Sequence, residues 1–117
     1  MTNHKNLIVW QKSMELIAAI YVATKTFPKD ELFGIVLQMR RAAVSIPSNI
    51  AEGYGRVYDK ETVKFLSIAL GSASELETQL IISKDLDYLA IQEAQQLIGQ
   101  IEEIIRMLTA LIKSHNN

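Results

Sequence analysis

The chain has 117 residues and a mass of 13.2 kDa, enough for one domain with its own core. It is 49% apolar and 21% charged, with no cysteine, five glycines and two prolines; this composition excludes disorder, disulfide frameworks and thiolate chemistry, and supplies too few turn formers for an all-β chain. The net charge is −1, yet residues 1–58 carry seven Lys/Arg against four Asp/Glu and residues 59–117 five against nine, a split that can join the halves, join copies of the chain or leave a basic face.

The first periodic segment covers about residues 7–26. Trp10, Met14, Ile17 and Tyr21 recur at spacings of four and three, and Leu16, Ile20 and Ala23 widen the stripe. Phe27-Pro28 ends it, because proline cannot continue the hydrogen-bond ladder. Asp30 and Glu31 then supply negative charge to the start of a second helix over about 30–54. Its seam is Leu32, Val36, Met39, Ala43, Ile46 and Ile50, and Pro47 predicts a kink or a short break. Gly53 and Gly55 close it and mark the hairpin between the halves.

Asp59 is the expected N-cap of a third helix over 59–86, with Leu66, Ala69, Ala73, Leu76 and Leu80 as its seam. Gly71, mid-helix in a cluster of small residues, predicts close approach by a neighbouring helix. A fourth helix over 91–113 carries two apolar rows, Ala94/Ile98/Ile101/Ile105/Leu108/Ile112 and Leu97/Ile104/Leu111. Four amphipathic segments with short connections read as an all-α fold, an antiparallel up-down-up-down four-helix bundle forming one domain over residues 1–117 with frayed termini. The first and last helices carry more apolar rows than a small bundle needs, which predicts a homo-oligomer.

The strings WQKSMEL, IYVATKTFPKDELFGIVLQMRRAAVSIPSNIAEGYGR and KFLSIALGSASELETQL resemble the bacterial four helix bundle proteins, also called 23S rRNA intervening-sequence proteins. The resemblance covers residues 7–89 and is densest in RRAAVSIPSNIAEGYGR, while the last helix matches in pattern alone. It implies a four-helix bundle assembled into a homopentameric ring. The related accessory variability determinant of diversity-generating retroelements implies nucleic-acid binding through basic residues of the ring. For most members the biochemical activity is unknown.

Lys12, Arg40, Arg41, Arg56, Lys60 and Lys64 are therefore the candidate contacts to RNA or DNA phosphates. The competing reading makes them solvated, or paired between subunits with Glu52, Glu75 and Glu77. Tyr54 and Tyr58 near the hairpin suit subunit contact better than base stacking. Ser45, Ser48 and Glu52 around Pro47 offer a hydrolase alternative, but hydroxyls and an amide there suit the repair of disturbed backbone groups better. His4 and His115 lie near the ends, where chains fray, so no imidazole is expected in the folded body to act as base. Glu75 and Glu77, two apart, do not face each other as metal ligands. The sequence thus predicts a non-enzymatic accessory or scaffold protein with no cofactor, metal or small-molecule substrate. No apolar run approaches the ~18 residues of a membrane span and no signal-peptide core opens the chain, so the expected location is cytoplasmic.

Overall fold

A computed structural model describes residues 3–116, and among these there are four α-helices and no strand. Helix α1 spans Ile8–Thr24, α2 Ile35–Tyr54, α3 Asp59–Asp85 and α4 Ile91–Asn116. A single 3-10 turn at His4–Asn6 precedes α1, where Asn3 Oδ1 accepts from the Lys5 amide at 2.9 Å. None of these helices is long and apolar enough to cross a membrane.

Contacts across the helices fix their directions. Met39 meets Ser83, Ser45 meets Ser72 and Thr62 bonds the Gly53 carbonyl, so α2 and α3 run antiparallel. Asp59 meets His115 across α3 and α4, and Lys12 meets Glu103 across α1 and α4. Arg40 reaches back to Thr24 and Tyr21 of α1. Each helix packs against the next in chain order and α4 against α1, the α2–α3 and α3–α4 contacts being the most extensive.

The core among the four helices comes from short apolar repeats. Helix α3 contributes Leu66, Ala69, Ala73, Leu76 and Leu80, all fully buried. From α2 come Val36, Met39, Ala43, Ile46 and Ile50, while Leu32 of the expected seam lies outside the helix and exposed. The buried face of α4 runs between its two rows, through Ala94, Leu97, Ile101, Ile104 and Leu108. Helix α1 differs from the expectation. Its core residues are Val9, Ser13, Leu16, Ile20 and Ala23; of the Trp10/Met14/Ile17/Tyr21 stripe, Trp10 and Ile17 are half-buried at the edge of the core while Met14 and Tyr21 are exposed. Ser13 can take a place on the buried face because its hydroxyl donates to the Val9 carbonyl at 2.7 Å.

Helix α2 starts later than the sequence suggests. Pro28 opens a separate 3-10 turn at Lys29–Glu31, and α2 begins only after Gly34. Glu31 still serves its N-terminus: Oε1 accepts from the Ile35 amide at 3.5 Å, and Oε2 accepts from the Tyr88 hydroxyl at 2.9 Å. Pro47 sits inside α2, which continues through it without a break. Ser48 Oγ donates to the Val44 carbonyl and Asn49 Nδ2 to the Ser45 carbonyl, so neither takes up the Ala43 carbonyl that the proline leaves without its N–H donor.

At the hairpin, Gly53 lets two backbones meet. A Cβ there would stand 3.0 Å from the Thr62 carbonyl oxygen and 3.1 Å from Phe65 Cβ. Tyr58, not Asp59, occupies the N-cap of α3. The chain turns out of α3 at Asp87, whose φ of 62° is one an aspartate tolerates, with the Tyr88 amide donating to the Ser83 carbonyl. A Cβ at Gly71 would meet nothing within 4 Å, so this glycine serves no packing against the described residues.

Candidate functional site

Two surfaces carry features that the core does not require. The first is the outer α1–α2 face. Trp10, Met14 and Ile17 line a groove with Val44, Pro47, Ser48 and Ala51, and Tyr21, Leu37, Arg40, Arg41 and Val44 line its continuation. Met14 is 44% exposed and Val44 40%, so apolar area at helical spacing faces outward along both helices.

Arg40 is anchored in this face. Its Nε donates to Thr24 Oγ1 at 3.0 Å, Nη2 donates to the Tyr21 carbonyl at 3.4 Å, and the guanidinium lies 4.5 Å from the Tyr21 ring centroid. A cation at the last turn of α1 satisfies an orphan carbonyl and complements the helix dipole. Arg41, one residue on, is exposed and has no ion-pair partner among the described residues.

The second surface is the end of the bundle built by the α2–α3 hairpin, the start of α1 and the end of α4. Arg56 pairs with Glu52 at 3.2 Å and lies 4.8 Å over the Phe65 ring. Lys60 and Lys64, one turn apart on α3, are exposed without ion-pair partners among the described residues. Tyr58 is 70% exposed beside them. Lys12 lies apart from this group, in a 3.0 Å pair with Glu103. The six candidate cations therefore fall into an α1–α2 pair, a hairpin group and an isolated lysine, not one patch.

The same end overturns the expectation about histidine. His115 lies within α4, its side chain only 22% exposed. Nδ1 stands 3.1 Å from Asp59 Oδ1, and Nε2 stands 2.9 Å from the Tyr54 hydroxyl. His4 also packs edge-on against Trp10. Helix α4 extends past residue 113 because its last turn finds these partners on α2 and α3. Burial, and after it the Asp59 charge, raises the Tyr54 pKa above its ordinary value. Nothing in the local sequence signals this contact, since His115 lies 56 and 61 positions from its two partners.

The serines near Pro47 have ordinary partners. Ser45 Oγ lies 2.8 Å from Ser72 Oγ and accepts from Asn49 Nδ2 at 2.9 Å; Ser48 bonds the Val44 carbonyl, and Glu52 holds Arg56. No carboxylate or imidazole is bonded to either hydroxyl. On α3, burial first, and then the neighbouring Glu102 carboxyl of α4, raises the Glu77 pKa. The described residues contain no group of three or more His, Cys, Asp or Glu placed to hold a metal.

Four antiparallel helices around one apolar core define an all-α four-helix bundle. A solved structure of a protein of unknown function from the S23 ribosomal protein family of Bacteroides thetaiotaomicron VPI-5482 has the same fold: TM-score 0.84, 24% identity, covering 96% of this chain and 99% of that one. The chain belongs to the 23S rRNA-intervening sequence protein family, whose model matches residues 5–110. Comparison with curated proteins finds no match.

Proposed function

We propose that this chain is a non-catalytic helical scaffold that self-associates through its outer α1–α2 face and contacts nucleic acid with its hairpin end. The observation that carries the reading is the exposed apolar area of Met14, Tyr21 and Val44 on this face, beside the half-buried Trp10 and Ile17: it is apolar surface the monomer leaves uncovered. A closed ring covers such a face on every copy, and the resemblance in sequence favours five copies. The hydrolase alternative is disfavoured by the partners of Ser45 and Ser48, neither of which could take a proton as general base.

Nucleic-acid contact draws its support from Lys60, Lys64 and Arg56 beside exposed Tyr58: cations for phosphates next to a ring on which a base can stack. Arrayed around an oligomer, this weak patch gains from avidity. The test is a titration of labelled single- and double-stranded RNA and DNA at two salt concentrations. Binding should fall steeply with salt, and Lys60→Glu with Lys64→Glu should weaken it at least tenfold while the oligomer persists. An assembled wild-type protein that binds none of the four probes at low salt refutes the nucleic-acid part; a concentration-independent monomer refutes self-association.

A further inference from the structure

We propose that the cleft between the start of α1 and the end of α4 binds a single-chain fatty acid anion, its alkyl chain along the cleft and its carboxylate at the outer mouth. The site requires neither self-association nor nucleic-acid contact.

Of the four neighbouring helix pairs, α1 and α4 share the least extensive contact, and their seam opens where α1 begins and α4 ends. The cavity there measures about 530 Å³, within the ordinary range for small-molecule sites. Leu7, Ile8 and Val9 form one wall and Met107, Ala110 and Leu111 the other. Val9 is buried, whereas Ile8 is 60% exposed and stands open to water. Two polar residues complete the lining, Asn6 and Ser114. The Ser114 hydroxyl is already committed, donating to the Leu111 carbonyl at 2.6 Å, while the exposed Asn6 amide can donate to an incoming oxygen. An apolar wall with so few polar groups gains most from a ligand that is itself mostly hydrocarbon.

The charge around the cleft selects the head group. Residues 3–12 and 103–116, which build it, carry Lys5, Lys12, Arg106 and Lys113 against one acid, Glu103. That excess stands out because residues 59–117 as a whole carry nine acids against five bases. Lys12 and Glu103 neutralise each other across the seam at 3.0 Å, one turn inward of Ile8 and Met107. Lys5, Arg106 and Lys113 are exposed with no ion-pair partner among the described residues. The dipole of α4 accounts for Lys113 in its last turn, but for neither of the other two. Free positive charge therefore lies at the mouth and along one edge, and neutralised charge at the inner end.

The same ion pair decides the shape of the occupant. It leaves an apolar run from Met107 to Ser114, about 10 Å at 1.5 Å per residue. Beyond the bridge the seam is lined by Glu93, Gln96 and Gln100, a poor continuation for the apolar face of a docked helix. One alkyl chain needs only the space before the bridge, and a two-chain lipid would leave its second chain in water.

The test is calorimetric titration of the full-length chain at pH 7.5 with octanoate, decanoate and dodecanoate below their micellar concentrations, and with dodecyltrimethylammonium. One carboxylate should bind per chain, tightening from octanoate to decanoate by about fourfold per methylene, the equivalent of the ~0.8 kcal/mol of one buried CH₂. Dodecanoate should bind at least tenfold more tightly than dodecyltrimethylammonium, and Lys5→Glu with Lys113→Glu should abolish that preference. Ile8→Glu, at an exposed position in the first turn of α1, and Ala110→Trp, which fills the cleft, should each weaken dodecanoate at least tenfold with helicity unchanged by circular dichroism. Met14→Glu, which charges the self-associating α1–α2 face and leaves the cleft intact, should bind as the parent does. A chain that takes up no dodecanoate overturns the proposal, as does equal binding by the parent and a folded Ile8→Glu or Ala110→Trp variant. Equal affinity of the parent for the anionic and cationic amphiphiles overturns the assigned head group, and loss of binding in Met14→Glu alone overturns the assigned place.

Discussion

Gly53 and Gly99 both lie inside helices, and replacing each by alanine should move stability in opposite directions. Alanine gains about 0.8–1.0 kcal/mol over glycine in a helix interior. At Gly99 nothing lies within 4 Å of the new methyl, so that gain is realised in full. At Gly53 the methyl arrives 3.0 Å from a backbone carbonyl and 3.1 Å from Phe65 Cβ. The carbonyl belongs to Thr62, whose hydroxyl bonds the Gly53 carbonyl at 2.8 Å, so neither side can retreat without lengthening that bond. Overpacking of this kind costs about 1–3 kcal/mol, leaving a net loss near 1 kcal/mol. With an unfolding entropy of about 2.1 cal/mol/K per residue, a chain this size shifts by roughly 4 °C per kcal/mol. Gly99→Ala should therefore melt about 4 °C higher than the parent and Gly53→Ala about 4 °C lower. Thermal unfolding followed at 222 nm, at fixed protein concentration in the Met14→Glu background, measures both. Equal stabilisation by the two alanines would refute the claim that the hairpin depends on close backbone approach.

Three further outcomes follow from the core and the ionisable groups. Leu76→Ala, at a fully buried site in the middle of α3, should cost about 3–5 kcal/mol in urea unfolding, and a loss under 1 kcal/mol would mean the core collapses onto the gap. The hydrogen bond to Glu31, ahead of burial and nearby charge, raises the Tyr88 pKa; the unfolded chain thus loses this proton first, stability declines as pH climbs above 10, and Tyr88→Phe should flatten that decline. Glu77 is likewise raised, so the folded chain loses stability as pH rises from the ordinary glutamate range through the raised value. In the Met14→Glu background, Glu77→Gln should accordingly melt higher than its parent at pH 7, with the gain shrinking toward pH 4; an equal gain at both values would exclude the carboxyl–carboxyl contact as its source.

The helices and most of their buried positions were legible because α2, α3 and α4 each concentrate apolar residues around one direction. Helix α1 was ambiguous: Trp10/Met14/Ile17/Tyr21 and Leu16/Ile20/Ala23 are adjacent stripes of comparable hydrophobicity, and spacing alone cannot tell which one faces in. The choice is made by partners. Small Ser13 and Ala23 fit against the other helices, while the bulk of Met14 and Tyr21 stands at the surface. Long-range contacts were out of reach for the same reason. Arg40 on Thr24, and His115 on Asp59 and Tyr54, depend on how helices far apart in sequence are set side by side. Proximity to a chain end made His115 look loose, whereas its position in the bundle decides its order. The candidate cations could be named from the sequence, but their separation into an α1–α2 pair, a hairpin group and an isolated lysine required the fold.

The groove in which Leu7, Ile8 and Val9 face Met107, Ala110, Leu111 and Ser114 places the start of the first helix beside the end of the last. A few linking residues could join those two ends, and the chain could instead be opened at the exposed Asp87 turn between α3 and α4. A protein so rewired, reading α4–α1–α2–α3, would present the same outer faces and the same core. The order in which the gene spells the helices is thus separable from the architecture they build.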